Sequence, residues 1–315
     1  MNVAALAGGI GAGKFLRGLV RVVPAMETTV VVNTGDDARM HGLYVAPDID
    51  SVTYWLADVA DRERGWGRER ETFRATEELR ELGARDAWFN LGDLDLGTNI
   101  FRTDLLATGG TLSEATARIA ARHGVSARLL PMSDDAVTTR IDAVGDGGSR
   151  LDLHFQEYWV QRRARDEVKD VRYEGAEVAR PAPGVLDAIA RADAVVICPS
   201  NPVASIGPIL AVPGVRDAVR ARRERVVGIS PIVAGAPLRG MADKLMSANG
   251  VEVTAAGAAS CYEGLLAGWV IDELDRHLAH RIEATGVLVA VTDTIMADDE
   301  KAEALARTAL ELALP

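Results

Sequence analysis

Four aspartates fall close together near the amino terminus: Asp36 and Asp37 in NTGDD, then Asp48 and Asp50 in PDID, the second pair starting eleven residues after Asp37. The β-branched run 28–32 ahead of them has the composition of a buried strand, and Asn33-Thr34-Gly35 is a turn signal that delivers the first pair. In an open α/β sheet, ligands bind beyond the carboxyl ends of the strands, where these acids would stand. Four carboxylates on one loop repel one another unless a cation joins them. Mg²⁺ suits such a group, because it takes hard oxygen ligands and shares them with substrate phosphates. The other reading is two solvated turns, with Asp48 or Asp50 capping the helix that follows.

A second constellation precedes the acids. Gly8 to Lys14, GGIGAGK, satisfies G-x-x-x-x-G-K, but Phe15 follows where a phosphate-loop NTPase needs a hydroxyl on its metal. The stretch is not G-x-G-x-x-G either. What survives is a strand over 2–7, a glycine loop with exposed amides and a helix from about Lys14 to Val22, a geometry that favours an anion at the helix N-terminus. Tight-turn glycines without a ligand are the alternative. Ser200-Asn201-Pro202, after a strand over 194–198, offers a second phosphate-cradling turn.

The elements that must position these groups alternate. Helices are expected over 51–61, 69–82, 98–107, 112–123 and 300–312, and strands over 87–91, 226–229, 269–271 and 287–291. The stretches 127–131, 137–144 and 151–156 run β-branched or alternate, and a basic, aromatic helix-like stretch follows them. The expected fold is therefore α/β, a doubly wound Rossmann-like parallel sheet in one domain over 1–315, with a hairpin-and-helix subdomain inserted over residues 125–182.

Bulk composition narrows the function. Apolar residues make up 48% of the 315 and charged ones 26%, enough for a full core and ordinary for a water-soluble chain. A net charge of −11 argues against a general nucleic-acid binder, whose affinity rests on basic phosphate contacts. Two cysteines and five scattered histidines offer neither a disulfide framework nor a zinc site. The apolar runs are strand-sized, and MNVAALAGG lacks the basic start of a signal peptide, so no membrane span and a cytoplasmic location are expected.

Taken together, several blocks resemble the 2-phospho-L-lactate transferase family of coenzyme F-420 biosynthesis. They are the glycine loop, NTGDD at 33–37, PDID at 47–50, LGDLD at 91–95, PMSDD at 131–135, FQEYW at 155–159, SNPVASIGPIL at 200–210 and SPIVAGAPLRG at 230–240. The resemblance spans nearly the whole chain. It implies a dimeric, Mg²⁺-dependent transferase that joins a phosphorylated three-carbon acid, carried as a guanosine diphosphate ester of lactate, enolpyruvate or glycerate, to the ribityl hydroxyl of the deazaflavin Fo, with GMP leaving. By position, Asp37, Asp48 and Asp50 would serve metal and deazaflavin, with Asp50 or Asp48 accepting the hydroxyl proton. Gly9, Gly11, Gly13, Lys14, Ser200, Asn201 and Pro202 would serve the nucleotide side, and Asn33, Asp36, Asp93, Asp134 and Ser230 would complete the substrate contacts.

Three positions depart from the family pattern. Leu94 stands where a basic residue of the deazaflavin pocket is frequent, Asn99 where histidine is common, and Met241 where proline is usual. A cation from Arg102, Arg162 or Arg163 is expected to compensate for Leu94. The competing function is a non-catalytic UDP-sugar binder of the sister gluconeogenesis-factor family, which shares the glycine loop and a paired-aspartate turn. The later blocks favour the transferase.

Overall fold

Apolar runs without polar alternation make strands that can be covered on both faces. Val3–Ala7, Thr28–Val32, Ala194–Ile197 and Val226–Ile229 are such runs, buried almost without a break. A computed structural model, which describes residues 1–314, joins them with Arg128–Pro131, Gly268–Asp272 and Leu288–Thr292 in one seven-stranded sheet. Every pairing in it is parallel. From Val3–Ala7 the sheet grows one way through Thr28–Val32 to Arg128–Pro131, and the other way through Ala194–Ile197, Val226–Ile229 and Gly268–Asp272 to Leu288–Thr292. The doubly wound α/β fold is thus present. Its direction reverses between Val3–Ala7 and Ala194–Ile197, and the crevice at their carboxyl ends is where such sheets bind ligands.

Helices cover both faces. Phe15, Leu16 and Leu19 of Gly9–Val22 pack with Leu305, Ala306 and Ala309 of Asp299–Ala313 on one side. Helices Val185–Arg191, Val215–Ala221 and Ala242–Ala248 fill the other. Gly18 allows the two long helices to touch, since a Cβ there would sit 2.2 Å from the Ala302 carbonyl oxygen.

Some expectations are corrected. The stretch 87–91 is not a strand: Trp88, Phe89 and Leu91 instead bury against Met40 and Val45 in a small satellite cluster. Those partners belong to an unforeseen hairpin, Ala38–Met40 with Leu43–Val45, closed by His41 and Gly42 at φ 53° and 80°, as a tight twisted hairpin turn requires. The insertion contains the expected hairpin, Thr138–Val144 with Arg150–His154, but a third strand stands in place of the helix. Its expected first strand, Arg128–Pro131, is the edge of the main sheet. The remainder is a three-stranded antiparallel sheet ordered Arg150–His154, Thr138–Val144, Glu167–Glu174. The basic, aromatic stretch makes only the short turn Glu157–Gln161 before extending, because alternating Val168, Val171 and Tyr173 pack inward from a strand.

Candidate active site

The first helix begins at Gly9, not Lys14, so the glycine loop is itself the opening turn. The helix that carries PDID runs Pro47–Leu56, which places Asp48 and Asp50 in its first turn. There the helix dipole favours negative charge. Around these two helix starts lies a cavity of about 1050 Å³, on the crevice where the sheet reverses. Of the residues expected at the site, Gly9, Gly11, Lys14, Asn33, Asp36, Asp48, Asp50, Ser200, Asn201 and Ser230 line it.

The walls are locked by their own hydrogen bonds. Ser200 Oγ donates to the Gly8 carbonyl at 2.9 Å and accepts from the Gly8 amide at 3.3 Å, which stitches the two strand ends together. Asn201 caps the Val203 and Ala204 amides at 2.9 and 3.1 Å, and Ser230 Oγ turns back onto Ile232. The loop glycines are required by neighbours. A Cβ at Gly8 would lie 2.4 Å from Asp48 Oδ2, and one at Gly11 2.3 Å from the Pro199 carbonyl oxygen. The Asp48 carboxylate also accepts the Gly9 amide, so part of the expected anion cradle already holds an anion of the protein itself. Ile10 and Gly11, in the first turn, keep amides without an intrahelical partner.

Asn33 is the hub of the acids. Its side-chain amide donates to Asp48 at 2.9 Å, to Asp36 at 3.3 Å and to the Ala204 carbonyl at 3.3 Å, while its oxygen accepts from Gly35. Gln156, from the inserted unit, donates to the other Asp36 oxygen at 3.0 Å. Burial, then the charges of Asp48 and Asp37, raise the Asp36 pKa well above the carboxylate range. Burial pushes Asp48 up to about 6, against the opposing bonds from Asn33 and Gly9. Asp37 is also raised by burial; its Oδ2 accepts from Tyr44 at 3.0 Å. Asp50 is held by Arg102, which is completely buried and also donates to Asn99 Oδ1 at 2.6 Å.

This arrangement corrects the metal triad. No three acidic, histidine or cysteine groups among the described residues converge to hold an ion. Asp50 gives both oxygens to Arg102. Asp37 is absent from the cavity wall. The Asp36–Asp48 pair does fit Mg²⁺, which commonly takes one or two protein carboxylates and completes its shell with water and phosphate. Burial raises both carboxyls above the ordinary carboxylate range, and at Asp36 the charges of Asp48 and Asp37 add to it.

Four further expected contacts lie off the cavity for structural reasons. Gly13 faces Trp55, whose Cδ1 would be 2.6 Å from a Cβ. Asp93 accepts from Thr72 Oγ1 and from the Ala75 amide at 3.0 Å, near the start of helix Arg74–Glu81. Asp134 accepts from both the amide and hydroxyl of Ser113, at 2.7 and 3.0 Å. Pro202 starts its helical turn, with its fixed φ suited to that place. The acid of LGDLD that does reach the cavity is Asp95, not the expected Asp93. Its Oδ1 has no partner among the described residues, and burial, then Asp50, push it up to about 7.

Leu94 points outward, 47% exposed, and is not in the cavity wall. Of the three arginines expected to compensate, Arg102 lies beneath the acids and Arg163 lines the cavity, whereas Arg162 is spent on Asp166. Asn99 and Met241 both line the cavity. Gln156 and Arg239, from the blocks FQEYW and SPIVAGAPLRG, and Trp66 also line it, while Arg64 and Asn90 arrive without a sequence signal of their own, on loops from elsewhere in the chain.

Nearly the whole chain, residues 3–311, matches the family model described as 2-phospho-L-lactate transferase CofD. The chain belongs to that family. A phosphoenolpyruvate transferase of Streptomyces griseus subsp. griseus is 50% identical over 314 residues, which cover 99% of this chain and 98% of the relative. One of Kitasatospora aureofaciens is 48% identical, with 99% and 98% covered, and one of Mycolicibacterium smegmatis 41%, with 99% of both covered. A Bacillus halodurans protein of the upf0052 family shares the fold at 18% identity, with a TM-score of 0.62 over 98% of each chain. As a member of the family the chain is an enzyme, a transferase with a Rossmann-like sheet. No helix among the described residues is long and apolar enough to cross a membrane.

Proposed function

We propose that the protein transfers a phosphorylated three-carbon acid from its guanosine diphosphate ester to the ribityl hydroxyl of Fo, releasing GMP, in coenzyme F-420 biosynthesis. The names of the relatives favour the enolpyruvyl donor over the lactyl or glyceryl one. The observation that carries the reading is one cavity whose wall holds both the first helical turn, with Ile10 and Gly11, and the acids Asp36 and Asp48. Phosphoryl transfer asks a protein for positioning and charge neutralisation more than for a nucleophile.

Asp36 and Asp48 would hold Mg²⁺, which supplies charge withdrawal from the diphosphate when bound. Asp95 is the better proton acceptor than Asp50, because it keeps an unpartnered oxygen and titrates near neutrality. The hydroxyl proton passes to Asp95 as the ribityl oxygen bonds to phosphorus and the bond to GMP breaks. Arg102 keeps Asp50 in place beside it. The protein acts as a cytoplasmic homodimer in this reading. The test is the mass of the product formed from purified protein, Fo and competing lactyl, enolpyruvyl and glyceryl donors, with and without EDTA. Formation of the Fo adduct only with metal supports the reading. UDP-N-acetylglucosamine stabilisation without any product would replace it with the sugar-binding alternative.

A further inference from the structure

We propose that Lys14 and Arg239 form a subsite for the carboxylate of the donor's three-carbon acid, an inference that rests on the transferase reading above. The cavity wall carries both signs of charge. It holds four acids, Asp36, Asp48, Asp50 and Asp95, and four cations, Lys14, Arg64, Arg163 and Arg239. Arg64 is already paired with Asp61 at 2.9 Å. Lys14 has no hydrogen bond or ion pair among the described residues, and its ammonium stands 5.7 Å from the Trp55 ring centre. Partial burial, then the charge of Arg239, lower its pKa.

Arg239 is fixed but not neutralised. Its guanidinium donates to the Arg64 and Glu63 carbonyls at 2.8 and 3.1 Å, and no carboxylate meets it. A guanidinium has five N–H donors, so those two bonds leave donors free to turn toward a ligand. Trp55 ties the same wall together by donating its indole N–H to the Gly65 carbonyl at 3.2 Å. Both cations line one water-accessible cavity, the charge of Arg239 acts on Lys14, and neither has a carboxylate partner among the described residues. An incoming carboxylate relieves their repulsion and takes charge-assisted bonds from both.

Position separates this subsite from the diphosphate. The free amides belong to Ile10 and Gly11, whereas Lys14 lies a turn further along the helix and Arg239 on a different loop. A diphosphate ester of a carboxylic acid carries its second anion beyond the phosphorus, at that kind of separation. The Mg²⁺ pair and the amides answer the phosphates, and Arg163, the remaining cation of the wall without a carboxylate partner, comes from the inserted unit rather than from the wall that Trp55 ties together.

The experiment measures binding of three probes by calorimetry without Fo: GDP, the lactate ester of GDP, and the same ester with its carboxylate converted to the carboxamide. Wild-type protein should prefer the acid ester to the amide by about 10- to 100-fold, the size of one or two charge-assisted bonds. Arg239→Gln should erase most of that preference while GDP affinity stays within about twofold, and Lys14→Met, in the helix expected to serve the nucleotide, should weaken the acid ester at least about tenfold more than it weakens GDP. Equal affinity of the wild type for ester and amide overturns the subsite. So does an equal loss of GDP and ester in the variants, which would make these cations diphosphate contacts. Failure of the wild type to bind any of the three would sink the transferase reading as well.

Discussion

Arg102 grips both carboxylate oxygens of Asp50 from beneath the cavity floor, and Asn99, four residues after Asp95, accepts a third bond from the same guanidinium. The pair is almost wholly withdrawn from water. Removing one partner of such a pair strands the other charge. Arg102→Leu should therefore cost about 3–5 kcal/mol, read by urea unfolding. Arg102→Lys keeps the charge but loses the planar fork, and should fall between the variant and the wild type. Equal stability of all three proteins would mean that the pair is not formed in solution.

The raised acids give a pH dependence with a definite sign. Asp95 and Asp48 sit at about 7 and 6, against an ordinary 3.8. The folded state then binds more protons than the unfolded one between those values, so stability is lost as pH rises from about 4 through 7. Asp95→Asn should raise the Tm at pH 8 by several degrees, at roughly 2–4 °C per kcal/mol, and leave it nearly unchanged at pH 4. A lower Tm at pH 8 would show that the ionised carboxylate has a stabilising partner after all.

Asp93 and Asp134 should separate from Asp36 and Asp48 in the opposite sense. The first two spend their oxygens on backbone amides and hydroxyls. Their alanine variants should lose about 1 kcal/mol of stability with kcat/KM unchanged. Asp36→Asn and Asp48→Asn should keep the fold and lose transfer at saturating Mg²⁺. Measuring melting and turnover on the four proteins distinguishes the two groups.

Gly11→Ala should disturb more than the donor. Its Cβ would meet the Pro199 carbonyl, so the Ser200 turn must move, and overpacking of this kind costs about 1–3 kcal/mol. Both GDP and Fo affinity should fall. A change in GDP affinity alone, with unaltered stability, would show that the glycine serves the ligand instead.

Leu94→Arg should leave Fo affinity within about twofold by titration, because its side chain points to solvent and a surface charge there meets no buried partner. A large change in either direction would place this residue at the acceptor after all.

The parallel strands and the two acid-bearing turns were legible because buried strands read as unbroken β-branched runs and turns as Asn, Gly and Asp. The register of the acids was not. Pro47 shifts the helix start forward, so Asp48 and Asp50 leave the loop for a first helical turn. Spacing also could not tell Asp93 from Asp95: one meets the Ala75 amide, the other faces the cavity, and only the packing of Arg74–Glu81 against Asp93–Ala107 decides it. Trp88 and Phe89 suggested a strand, yet hydrophobic burial against the 38–45 hairpin satisfied them without a sheet.

The bond between Ser200 and Gly8 joins residues separated by 192 positions. Contacts of such separation form only after a long loop has closed, which slows folding. A nascent chain emerging in order presents the glycine loop and all four early acids before the strand that completes their crevice exists. Until Ala194–Ile197 slots in beside Val3–Ala7, those carboxylates remain open to solvent and to any free cation, and a truncated chain ending before it would carry the acids without an enzyme around them.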